Sequence, residues 1–199
     1  MAILRGKRPA LPFAVSWHFA IVHCLMLSGR AAAAQAAPGD DLEFRVKAAY
    51  LLNFSRYVTW PPDAFGRIDA PVRICVLGQD PFHGALDEVL ANQQTQGREV
   101  QPLRVKTPEE AVGMSCRVVY VGPDHRRSRS WERPLRDQPI VTVGEGEGFL
   151  DEGGMLGFVI RQETVRFAAN LRAIHAARLE ISSRVLRLAT RVIPDRGSP

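Results

Sequence analysis

Three stretches of this 199-residue chain carry residue types that could do chemistry. "GEGEGF" (144–149) has the G-x-G-x-G spacing of a turn whose bare backbone N–H groups could cradle a phosphate. It lacks the rest of the dinucleotide fingerprint, and Glu145 and Glu147 would repel a phosphate, so it reads as a loop after a strand. "DHRRSRS" (124–130) gathers four charges and His125, and reads as a solvated loop or helix start, with an anion site as the lesser alternative. The third set is the cysteines. No G-x-S-x-G, no H-E-x-x-H and no Cys/His cluster with metal spacing is present, and the carboxylates are scattered. No catalytic residue, cofactor or metal site is therefore expected.

The elements that position these residues alternate. Residues 42–58 read as a first helix, with Val46, Ala49, Leu52 or Asn53, and Tyr57 at helical spacing and Leu42, Phe54 and Val58 widening the stripe. Pro61 and Pro62 stop it, since each lacks a backbone N–H. "VRICVLG" (72–78) is a buried strand, and "DPFHGALDEVLAN" a helix capped by Asp80 with Pro81 at its first position. "VQPLRV" (100–105) is a strand whose Pro102 suggests an edge, and Thr107–Pro108 open a short helix. "CRVVYVG" (116–122) and "PIVTVG" (139–144) are further strands, separated by a helix broken at Pro134. "GGMLGFVI" and "VRFAA" read as a hairpin, followed by helix with Asn170 and Ser182 as N-caps. The expected fold is α/β: a single three-layer domain, with a mostly parallel sheet flanked by helices and a C-terminal antiparallel hairpin.

Cys75 and Cys116 lie in two of these strands. A doubly wound sheet commonly places its first strand between the second and third, which would make them neighbours. Two buried free thiols are the plain alternative. An exported chain meets an oxidising compartment, which favours a bond. Closing a loop of about 40 residues is worth roughly 4 kcal/mol in the chain-entropy account.

Export is the reading of the first segment. Arg5, Lys7 and Arg8 precede an apolar stretch from Leu11 to Leu27 and then "RAAAAQAAPGD", whose small residues suit cleavage between Ala34 and Ala37. Cys24 has no lipobox before it. The expected division is a signal peptide over 1–37, a domain over 38–193 and a flexible tail over 194–199. Arg5, Lys7, Arg8 and Arg30 are four of the 26 basic residues, so 22 remain against 21 acids, about +1. The basic balance of the whole chain thus belongs to the leader and argues for no nucleic-acid partner.

Taken in order, "KAAYLLNFSRYVTWP", "VRICVLGQDPF", "GRE", "CRVVYVG", "PIVTVGEGEGFLDEGGMLGFV", "VRFAANL" and "LEISSRVLRLA" resemble the YfiR-like family of exported bacterial proteins over residues 44–193. The resemblance implies a periplasmic regulator, not an enzyme, that binds the periplasmic part of an inner-membrane diguanylate cyclase and holds it inactive, lowering cyclic-di-GMP and biofilm formation. A small-molecule-sensing domain is the alternative. Cys75 and Cys116 match the two family cysteines that can join as a disulfide; a second bridge known in the family has no cysteines here. Arg178 stands where the family often has Gly. Candidate ligand contacts are Arg161 and Arg166, which could hold a carboxylate. Phe44, Phe54, Tyr57 and Trp60 read first as core; Phe44, Tyr57 and Trp60 are also the candidates for a partner or homodimer surface.

Overall fold

The computed structural model describes residues 38–195. The expected signal peptide, Cys24 and the cleavage region fall outside the described residues, as do the last four residues of the expected tail.

In chain order the helices are α1 (Pro38–Tyr57), α2 (Ala85–Leu90), α3 (Pro108–Gly113), α4 (Pro123–Ser128), α5 (Glu132–Leu135), α6 (Gly148–Asp151), α7 (Leu171–Ala176) and α8 (Ser183–Leu186). The strands are β1 (Val58–Thr59), β2 (Val72–Leu77), β3 (Gln94–Thr95), β4 (Arg98–Val105), β5 (Cys116–Val121), β6 (Val141–Glu145), β7 (Leu156–Arg161), β8 (Thr164–Asn170), β9 (Glu180–Ile181) and β10 (Val192–Ile193). The main sheet runs β10-β8-β7-β6-β5-β2-β4-β3, and β1 pairs separately with β9. Strands β4, β2, β5, β6 and β7 are parallel; β7 and β8 form the antiparallel hairpin. The mixed three-layer α/β domain expected from the sequence is the one observed.

The central strands are apolar on both faces because both faces are covered. Ile74 and Val76 of β2 join Val118 and Tyr120 of β5 in a core packed under α1, α2 and α7. Cys75 and Leu77 point the other way, with Val119 and Val121, into a second core closed by Ala111, Trp131, Leu135 and Phe149. The two-residue turn of the hairpin, Gln162 and Glu163, has φ of 49° and 57°, the left-handed pair that fits strand twist.

Two helices differ from expectation. On α1 the buried face is Lys47, Ala48, Leu51, Leu52, Phe54 and Ser55, while Asn53 and Tyr57 are exposed and Leu42 is 65% exposed. The true stripe includes two polar residues, so a search for apolar spacing alone rotates it. After β2, Asp80 does not cap a helix from Pro81. Its Oδ1 accepts from the Phe82 amide at 2.8 Å, a local turn that competes with helix. His83 and Gly84 then take positive φ and α2 starts at Ala85. Where the caps do hold, they hold as read: Thr107 accepts from Glu110 N and Asn170 from Ala173 N. β4 is close to an edge, as Pro102 implied, because β3 covers only Arg98 and Glu99.

Candidate functional site

The register of β2 against β5 slips at one place. Arg73 faces Cys116, but Ile74 faces Val118, so Arg117 is an extra, bulged residue. In a regular strand residues 116 and 118 share a face. The bulge instead turns Cys116 to the face of Cys75, away from Val118. The two cysteines form a disulfide with Cα atoms 6.0 Å apart, and both are fully buried.

At the carboxyl ends of β5 and β6 lies a partly buried polar node. Lys47 is 3% exposed and its Nζ donates to Glu43 at 2.6 Å and to Glu145 Oε1 at 2.8 Å. The Tyr120 hydroxyl donates to the same Glu145 oxygen at 2.8 Å. Burial, and then the charge of Glu145, hold the Tyr120 phenol far above its ordinary range. Tyr120 is therefore a fixed donor and offers no base. The node locks α1 onto the sheet. Of the "GEGEGF" glycines, Gly144 serves packing, since a Cβ there would stand 2.7 Å from the Phe149 ring, and Gly146 serves the turn with φ of 77°; farther on, a Cβ on Gly154 would stand 2.2 Å from the same ring. Phe149 fills that gap and stacks on Trp131 at 4.8 Å.

"DHRRSRS" becomes α4 and the residues after it. His125 Nδ1 lies 2.9 Å from Ser130 Oγ, but Asp124 is 4.0 Å from His125 Nε2, beyond hydrogen-bond range, and accepts from Gln79 N instead. A Ser-His-Asp relay is not assembled. Arg126 turns inward to Glu152 and to the Glu145 carbonyl. A cavity of about 530 Å³ opens between α5, α7 and the end of the sheet, lined by Trp131, Leu135, Thr142, Met155, Arg172 and Arg191 among others. Within the described residues no group of three or more His, Cys, Asp or Glu could hold a metal ion, and no helix is long and apolar enough to cross a membrane.

Arg161 and Arg166 lie on one face of the hairpin, because Arg166 faces Val159, two residues before Arg161. Arg161 is paired with Glu147 at 2.7 Å, and neither arginine lines the 530 Å³ cavity. Phe44 is half-buried against Phe82 at 5.7 Å. Trp60 is inside at 7% exposure, beside Phe65, while Tyr57 is 42% exposed. Of the three aromatic candidates, only Tyr57 is thus exposed. Arg178 has φ of 57°, which explains why glycine suits this position; its guanidinium grips Asp63 at 3.1 Å.

Compared with known proteins, residues 44–190 match the family described as YfiR/HmsC-like. Among solved structures, the chain is similar to the ABC domain in complex with L-Trp from Streptococcus pneumonia, at 13% identity and a TM-score of 0.49, over 76% of this chain and 60% of that one.

Proposed function

The chain belongs to the YfiR/HmsC-like family, and on that premise we propose that it is a periplasmic regulatory protein that binds the periplasmic part of an inner-membrane diguanylate cyclase and keeps it inactive. The observation that carries this reading is the family match over residues 44–190. The disulfide supports the location, because such bonds persist in oxidising compartments. A near-neutral exported chain steers partners weakly over distance, so binding rests on shape and apolar contact, with Tyr57 as the first surface residue to test.

The test is genetic. Deleting the gene raises cyclic-di-GMP, the full-length gene brings it back down, and a copy lacking residues 1–37 does not, because it stays in the cytoplasm. Unchanged cyclic-di-GMP on deletion, in a strain shown to make the protein, overturns the reading.

A further inference from the structure

The amino ends of β4, β2 and β5 carry an excess of positive charge that the fold does not neutralise. A surface cavity of about 360 Å³ opens there, lined by Phe65, Arg67, Pro71, Arg73 and Arg117 among others. Arg117, the bulged residue, is only 8% exposed. It donates to the carbonyls of Cys116 and Ala64, and its Nε is buried with no partner among the described residues. Arg73 donates to the Met114 carbonyl at 2.7 Å, and Arg98 to the carbonyls of Ala70 and Arg67 at 2.8 and 3.1 Å. Arg98 and Arg117 stack over the Phe65 ring, with guanidinium carbons 4.0 and 5.0 Å from its centroid. The one carboxylate in the lining, Asp69, is already held through both oxygens by Arg67.

Arg73, Arg98 and Arg117 thus share a small volume, and none of them makes an ion pair among the described residues. A buried cation without a counter-charge is costly, and arginine is rarely buried unless paired. Burial, followed by the charges of Arg73 and Arg98, pulls the Arg117 proton affinity below its ordinary value. If capping stray carbonyls were the whole task, a neutral amide would suffice, as Gln96 does for the carbonyls of Ser55 and Val58. Guanidinium groups match the planar or tetrahedral oxygens of carboxylate and phosphate. The cavity is of small-molecule size.

We propose that this cavity is a binding site for a small organic oxyanion, a carboxylate or a phosphate ester, anchored by Arg73 and Arg117 with its apolar part against Phe65 and Pro71. The site stands independently of the cyclase reading. It differs from the Arg161/Arg166 site expected from the sequence, and the arginine inside an otherwise apolar strand is the signal that could have found it.

Isothermal titration calorimetry of the purified protein with inorganic phosphate, and separately with benzoate, tests it. Saturable binding of at least one probe is expected, weakening as salt is added. Binding alone by phosphate, or alone by benzoate, assigns the oxyanion class. Arg73→Gln weakens binding at least about tenfold, and Arg187→Gln, at an exposed residue outside the cavity lining, leaves it unchanged. Arg73 is half-buried and reaches a single carbonyl, so its replacement keeps the fold where Arg117→Gln could lose it; circular dichroism of both variants checks this. No saturable binding of either probe, or equal binding by wild type and a folded Arg73→Gln, overturns the proposal.

Discussion

At the scale of single residues, burial decides which groups remain available for chemistry. Tyr120 is 1% exposed and its hydroxyl is committed to Glu145. Its phenol is held well above the ordinary value, by burial first and by Glu145 second. In the unfolded chain a tyrosine ionises near pH 10. Below that pH both states keep the proton and stability is unaffected. Above it only the unfolded chain gains by releasing the proton, so stability falls as pH rises. Ultraviolet titration should find at least one of the three tyrosines un-ionised until the fold opens. Tyr120→Phe should cost about 1.5–3 kcal/mol at neutral pH, the worth of one hydrogen bond to a charged acceptor. It should also lose less stability than wild type between pH 9 and pH 11, as measured by urea denaturation at each pH. Parallel losses in the two proteins would show that Tyr120 is not the group responsible.

At the scale of elements, legibility followed how local the signal was. β2, β5 and β6 were readable because unbroken β-branched runs have few other fates, and the caps Thr107 and Asn170 because their bonds span three residues. Apolar spacing misplaces the phase of α1 because Lys47 and Ser55 are inside, one held by carboxylates from α1 and β6 and one bonded to the Leu52 carbonyl. The bulge at Arg117 has no local signature at all; it exists only as a relation between two strands. Yet the cysteine pairing depends on it. The bond closes a separation of 41 residues. In the chain-entropy account, replacing both cysteines by alanine should therefore cost about 4 kcal/mol in oxidising buffer. Reduced wild type should then unfold at nearly the same urea concentration as the double variant. Titration of the unreduced, denatured wild-type domain should detect neither Cys75 nor Cys116. Two reactive thiols there would remove the staple from the account.

For the molecule as a whole, the sheet's stability in solution rests on how its two edges are finished. On one side β4 is covered by β3 for only two residues, and beyond them it carries Pro102 and Arg104, which discourage pairing with another chain. On the other side the hairpin strand β8 is covered by β10 in parallel, with Val192 facing Ala169 and Ile193 facing Asn170. That cover is made of specific backbone bonds: Thr190 N to Phe167 O at 2.8 Å and Ala169 N to Arg191 O at 2.9 Å. Without it, β8 would present free donors and acceptors beside Val165, Phe167 and Ala169, whose side chains belong to the main core. A chain ending at Ala189 should therefore keep α1, the parallel strands and the disulfide, yet expose an edge able to template a second copy. It should elute at a larger size than the full chain in size-exclusion chromatography, increasingly so at higher concentration, and melt at a lower temperature. A chain ending at Asp195, which retains β10, serves as the control and should behave as the full chain does. If the shorter truncation keeps the size and melting temperature of the control, β10 is an ornament of the edge, and β8 must be protected by its own twist and by the outward-facing Arg166.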